Sequence, residues 1–230
     1  MHRYLFNSQN LICMKKLEII PTIKEGVSLG LVNYLSVLCA ALLYVATIWI
    51  PYLNVGTTIA MASLPAEMAK GNVINPTFIF DCKYRRNMGE FFILMSLMIG
   101  AIWVGFLFGI IPGIVISYAW YIAVILFVDK DRNALEALRE SNQLTYGNKM
   151  RIFCMELVLG LAIGIACGII TAIFNIGHIG WLEGIGAFLT FVLVLFAIPA
   201  LLGVQAVIYK ALTAPEEEAP AAPATEPAAE

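Results

Sequence analysis

The sequence predicts an all-α polytopic membrane protein: a six-transmembrane-helix bundle with a cytoplasmic amphipathic helix. Three observations carry this expectation. The chain of 230 residues is 60% hydrophobic and 13% charged, whereas soluble domains are ~25% charged. Its uncharged runs reach the ~20 residues that take a helix across a ~30 Å hydrocarbon core. Six crossings also leave every basic residue on one side.

The first predicted span covers 27–50. Pro51 ends it, because proline removes a backbone donor and clashes with the preceding turn. The second, 51–69, is short and rich in Thr, Ser, Ala and Gly. Such a helix survives in lipid when neighbouring helices shield it. The third covers 91–111, and Pro112-Gly113 follows as a turn pair. The fourth covers 114–128, the fifth 152–174 and the sixth 185–209.

Charge decides whether the weak second span counts. With five spans, Arg3, Lys15, Lys16 and Lys24 face away from the other ten basic residues. With six, the split is zero to fourteen. Cytoplasmic loops collect Lys and Arg, so six spans are expected. Both termini and the segments 70–90 and 129–151 are then cytoplasmic. Trp49, Tyr52 and Trp181 fall at the outer boundary, where amphipathic rings settle.

The expected organisation is an N-terminal arm over 1–26, a membrane domain over 27–210 and a tail over 211–230. From Thr213 the tail is Ala, Pro and Glu with no basic residue, a composition that buries no core. Without its five glutamates the net charge moves from −2 to +3, since −2 − (−5) = +3. A mildly basic body suits anionic lipid headgroups. No cleavable signal peptide is expected, because the first apolar run is too long for one. Met14-Lys15-Lys16 reads as a natural start, and an N-terminal arm is the other reading.

The segment 131–147 is the most distinctive polar stretch. Ala134, Leu135, Ala137, Leu138 and Leu144 share one helical face. Asp131 or Asn133 suits the N-cap, and Gly147 suits the residue just past the end. The helix is expected on the inner interface, either docking a partner or packing beneath the bundle.

Ile111-Pro112-Gly113-Ile114, then Val128-Asp129, then the run through Ala134, Glu136, Ala137, Leu138, Ser141, Leu144, Gly147 and Asn148 resemble a broad superfamily of bacterial integral membrane proteins. That superfamily includes the membrane domain attached to some glycerophosphoryl diester phosphodiesterases. Tyr146 departs from the basic residue expected there. The resemblance spans roughly 30–210 and is motif-specific over 110–150. It implies a six-helix fold and little about activity, and no soluble phosphodiesterase domain accompanies it.

Groups for catalysis are scarce. The histidines are His2 and His178. The cysteines, Cys13, Cys39, Cys82, Cys154 and Cys167, are scattered without metal-ligand spacing. No serine or cysteine has a plausible base partner, and no Gly-rich phosphate loop appears. No enzyme activity, cofactor, metal or nucleic-acid partner is expected.

Packing signals are clearer. Ala101, Gly105, Gly109 and Gly113 recur every four residues, as do Gly160, Gly164 and Gly168. Residues four apart share a helix face, and small-residue faces let helices approach closely in lipid. The two forms of such packing are a homodimer seam and contact within the chain. Glu156 is the one ionisable residue expected inside a span, close enough to the inner interface to snorkel. Asn33 and Gln205 are polar within spans and suited to bonds across helices. The expected function is a non-enzymatic membrane scaffold or accessory partner, associating with the bilayer and with another membrane protein or a second copy. The alternative is a small transporter or permease component.

Overall fold

The structure is a computed structural model that describes residues 16–71, 74–175 and 180–214. The described residues form helices, with no strand among them. In chain order they are α1 (Ile19–Val32), α2 (Tyr34–Thr47), α3 (Pro51–Ala62), α4 (Leu64–Ala69), a 3-10 turn (Pro76–Phe80), α5 (Lys83–Arg86), α6 (Met88–Phe108), α7 (Ile110–Ala119), α8 (Ala123–Asp129), α9 (Ala134–Thr145), α10 (Lys149–Asn175) and α11 (Gly180–Thr213).

Four stretches are long and apolar enough to cross a membrane: α6, α7 with α8, α10 and α11. A fifth exists if α1 and α2, bent by 66°, count as one. The expected continuous span over 51–69 is interrupted at Ser63. Its hydroxyl donates to the Ala60 carbonyl at 2.7 Å and shares a 3.2 Å contact with the Tyr84 hydroxyl. Pro65 has no N–H to give the Met61 carbonyl there, and α3 with α4 is not among the stretches long and apolar enough to cross.

Two other breaks differ from the sequence reading. Asn33 was expected to bond across helices. Its side-chain amide instead donates to the Leu29 carbonyl of its own helix at 3.1 Å, and the chain bends there. The α6–α7 corner falls at Gly109, whose φ is 144°, not at Pro112-Gly113. Glycine alone adopts that conformation without strain. Pro112 sits in the first turn of α7, where a missing donor costs nothing.

That corner folds α7 back on α6. Gly105 and Gly113 therefore lie on facing helices, not on one ladder. A Cβ on Gly105 would stand 3.0 Å from the Gly113 Cα and 2.9 Å from Ile116 Cδ1. Ala101, one turn earlier on α6, is half-buried.

The closest packing joins α1 to α11, antiparallel. A methyl group on Gly30 would overlap the Pro199 carbonyl, and one on Gly203 would overlap the Gly26 carbonyl. Above this crossing the rings of Tyr34 and Phe196 stack with centroids 4.3 Å apart.

The helix ends that carry the charges meet at one end of the bundle. The Leu17 backbone N–H donates to Asn148 at 3.1 Å, and Arg151 donates to the Leu17 carbonyl at 2.8 Å. Lys70 pairs with Asp129 at 2.7 Å, and the Tyr209 hydroxyl donates to Asp129 at 2.6 Å. Asn87 donates to Asp131 at 2.6 Å. The starts of α1, α6 and α10 thus join the ends of α4, α8 and α11.

The α2–α3 hairpin lies along the connection 74–86 at this same end. Ala40, Ile59 and Ala60 share a buried cluster with Ile79 and Tyr84. A Cβ on Gly56 would stand 2.6 Å from Cγ of Arg85. The hairpin tip, with Trp49 and Tyr52, is exposed.

Gly105→Leu must push α6 and α7 apart, and overpacking of this kind costs ~1–3 kcal/mol. Its detergent melting temperature should fall below that of the parent. Gly100→Leu, where an added Cβ meets nothing within 4 Å, should melt like the parent. Equal melting of both variants would contradict the α6–α7 contact.

Candidate functional site

The charged end is built from short helices that stop where their carbonyls and side chains find partners. α8 ends at Asp129, where Lys70 of α4 and Tyr209 of α11 converge on the carboxylate. Lys70 also pairs with Glu67 at 3.2 Å. Burial works to lower the Lys70 pKa, but hydrogen bonds and charge from Asp129 and Glu67 outweigh it and hold the ammonium above its ordinary range. Lys83 is likewise raised: burial opposes, and the adjacent Tyr84 side chain, with the charges of Glu67 and Asp81, prevails. These groups surround a cavity of about 290 Å³ between α4, α5 and the end of α8.

Beside it, α9 starts at Asn133, whose N–H donates to Glu136 at 3.4 Å in a capping box. It stops before Gly147, whose φ is 80°. Ala134, Ala137, Leu138, Ser141 and Thr145 form its buried face. The Ser141 and Thr145 hydroxyls both donate to the Ala119 carbonyl, at 2.9 and 3.2 Å, where α7 ends. Leu135 was expected on this face and is 66% exposed. The two hydroxyls take the inward positions because a carbonyl at a helix end needs donors. Glu140 pairs with Lys130 at 2.8 Å and Arg132 at 3.0 Å.

A second polar group lies between α7, α8 and α10. Glu156 accepts from the Tyr121 hydroxyl at 2.6 Å and from Tyr118 at 3.4 Å. Tyr121 and Gln205 both line another cavity, of about 280 Å³, with Thr58 and Met61. Tyr121 thus bonds Glu156 and shares a cavity wall with Gln205, and Asn33 stands apart at the α1–α2 bend.

The third feature is α10. An added Cβ on Gly160, Gly164 or Gly168 meets nothing within 4 Å. Beyond Met155 no residue of α10 is buried. This ladder has no packing partner among the described residues, unlike Gly105 and Gly113.

Sequence reasoning missed Gly26, Gly30 and Gly203, although Gly26 and Gly30 have the same four-residue spacing as the chosen ladders. It also missed Tyr118 and Tyr121, two hydroxyls inside an apolar run. His2, His178, Cys13, Met14 and the tail beyond Ala214 lie outside the described residues. Among the described residues no group of three or more His, Cys, Asp or Glu is placed to hold a metal ion.

The fold defines a helical protein with several helices long and apolar enough to cross a membrane. No protein-family model, curated protein or solved structure matches the chain.

Burial works to raise the Glu140 pKa. The hydrogen bond and charge of Lys130, joined by those of Arg132, outweigh it and hold the carboxyl below its ordinary range. A lowered folded pKa stabilises above the unfolded pKa and is lost as pH falls through the folded one. Because Lys130 and Arg132 are partly exposed, Glu140→Gln should cost no more than ~1 kcal/mol at neutral pH. The gap between parent and variant in thermal unfolding should close as pH drops below ~4. A gap that persists in acid would contradict the ion-pair account.

Proposed function

We propose that the chain is a non-enzymatic multi-pass protein of a bacterial inner membrane, a scaffold or accessory subunit that binds a second membrane helix along α10. The observation that supports this most is the open face of Gly160, Gly164 and Gly168. Lipid is as apolar as any side chain and gives a glycine face no hydrophobic drive to pack, whereas another helix backbone approaches it closely. The Gly105 and Gly113 pair is used within the chain, whereas the α10 ladder is open among the described residues.

Orientation follows from charge. The basic residues mark the cytoplasmic face, which puts both termini and the segments 70–90 and 129–151 in the cytoplasm. The packing of α2–α3 beside 74–86 favours four crossings, with α1 to α4 entering and leaving at the cytoplasmic face. The six-crossing arrangement also leaves all fourteen basic residues on one side.

A small transporter is the second reading, favoured by the cavity that Tyr121 and Gln205 line beside Glu156. Intramembrane ionisable residues often mark transport routes.

The occupant of the α10 face tested first is a second copy. With Cys167 as the only cysteine, oxidation in native membranes should give a disulfide-linked dimer. Gly164→Leu should abolish that dimer and leave monomer stability within ~0.5 kcal/mol of the parent. Absence of both a cross-linked dimer and any co-purifying membrane protein sensitive to Gly164→Leu would overturn the scaffold reading. Loss of a cellular phenotype in Glu156→Gln at normal protein levels would then favour transport.

A further inference from the structure

The cavity of about 290 Å³ at the charged end is not used by the α10 face. Its walls carry Lys70, Lys83 and Arg86 opposite Glu67, Asp129 and Asp131. Three cations against three carboxylates leave it without net charge. Its floor is apolar and buried, formed by Ile59, Ala66 and Phe127.

These charges are unequally engaged. Lys70 is held by both Glu67 and Asp129. Asn87 donates to one Asp131 oxygen at 2.6 Å, whereas Arg86 meets the other only at 3.7 Å, and the side chains of Arg86 and Asp131 are 79% and 68% exposed. Lys83 makes no ion pair among the described residues, and its ammonium stands 4.7 Å from the centre of the Tyr84 ring. Two cations and one carboxylate at the mouth therefore have spare bonding capacity. The mouth lies where Met88–Phe108 begins and Ile110–Asp129 ends. In a membrane that level is the headgroup layer.

A bare phosphate would meet three carboxylates here, and a bare cation would meet three basic groups. A ligand with one phosphate and one ammonium a short linker apart satisfies both signs. We propose that this cavity binds a phosphoethanolamine group, with Lys83 and Arg86 donating to its phosphate oxygens and its primary ammonium donating to Asp131. The source that fits a headgroup-level cavity is a zwitterionic phospholipid. A choline headgroup has no N–H to give Asp131, and a glycerol headgroup has no ammonium. Basic pockets between membrane helices are known headgroup sites, and the carboxylate adds selectivity to such a site. The proposal requires the chain to lie in a membrane and is independent of the α10 partner.

The test is native mass spectrometry of the full chain, delipidated and then given phosphatidylethanolamine, phosphatidylcholine and phosphatidylglycerol in equal amounts. The ethanolamine lipid should be retained about tenfold over the other two, the worth of one charge-assisted hydrogen bond. Lys83→Gln and Asp131→Asn should each remove that preference. Arg85→Gln should keep it, because Arg85 lies against Gly56 and does not line the cavity. Retention of free phosphoethanolamine with no preference among the lipids, lost in both variants, would assign the site to the soluble compound. Equal retention of all three lipids with no binding of free phosphoethanolamine would overturn the proposal. So would a preference that survives both Lys83→Gln and Asp131→Asn. Neither variant touches the α10 face, so dimer loss in Gly164→Leu is read separately.

Discussion

Where α1 crosses α11, backbone meets backbone, and the first quarter of the chain depends on that contact. Gly26 and Gly30 face Pro199, Gly203 and Val204, and backbone atoms of the two helices meet at these positions. In lipid, where apolar burial gives no drive for association, close van der Waals approach of this kind is what holds helices together. The crossing fixes α1 to the bundle for most of its length. Asn33 then turns its amide back to Leu29, and α2 leaves at 66°. The hydroxyls of Thr47 and Thr57, 3.3 Å apart, and of Tyr44 and Thr58, 3.2 Å apart, hold α2 against α3. The hairpin is thereby directed along the charged connection, with α3 also against the start of α6.

The charged end completes what the crossing begins. Asp129 joins three helices by accepting from Lys70 and Tyr209, so α4, α8 and α11 end at one level. Removing Asp129 would leave the hydroxyl of buried Tyr209 without its acceptor, while Lys70 would keep Glu67. Polar bookkeeping is complete: among the described residues no buried side-chain nitrogen or oxygen lacks a hydrogen-bond partner. The same convergence creates the cavity, because α4 and α8 meet through their side chains and leave room between them.

Long uncharged runs made the long apolar helices legible. The expected 152–174 and 185–209 lie inside Lys149–Asn175 and Gly180–Thr213. Caps made α9 legible, since Asn133 and Gly147 act through local hydrogen bonding and a positive φ that neighbours do not alter. Breaks inside apolar runs were not legible. Ser63, Asn33 and Gly109 interrupt helices through contacts or backbone angles that depend on the folded chain, and hydropathy passes over them. Pro112 drew attention as the turn, yet proline is compatible with a helix start. Glycine spacing indicated close packing without indicating the partner: Gly105 found Gly113, while Gly164 found nothing. Under the positive-inside rule, charge counting distinguishes only an odd from an even number of crossings before Lys70. Two crossings and a hairpin that returns to its own side give the same zero-to-fourteen split.

Depth of the hairpin tip separates those two arrangements. In a cysteine-free background, Tyr52→Cys, Asn75→Cys and Gly180→Cys would each be labelled with a membrane-impermeant maleimide in right-side-out and inverted vesicles. With α1 pinned on α11 and α2–α3 held beside 74–86, Tyr52→Cys and Asn75→Cys should react from the same side, and Gly180→Cys from the other. Labelling of Tyr52→Cys together with Gly180→Cys would contradict the account and restore six crossings.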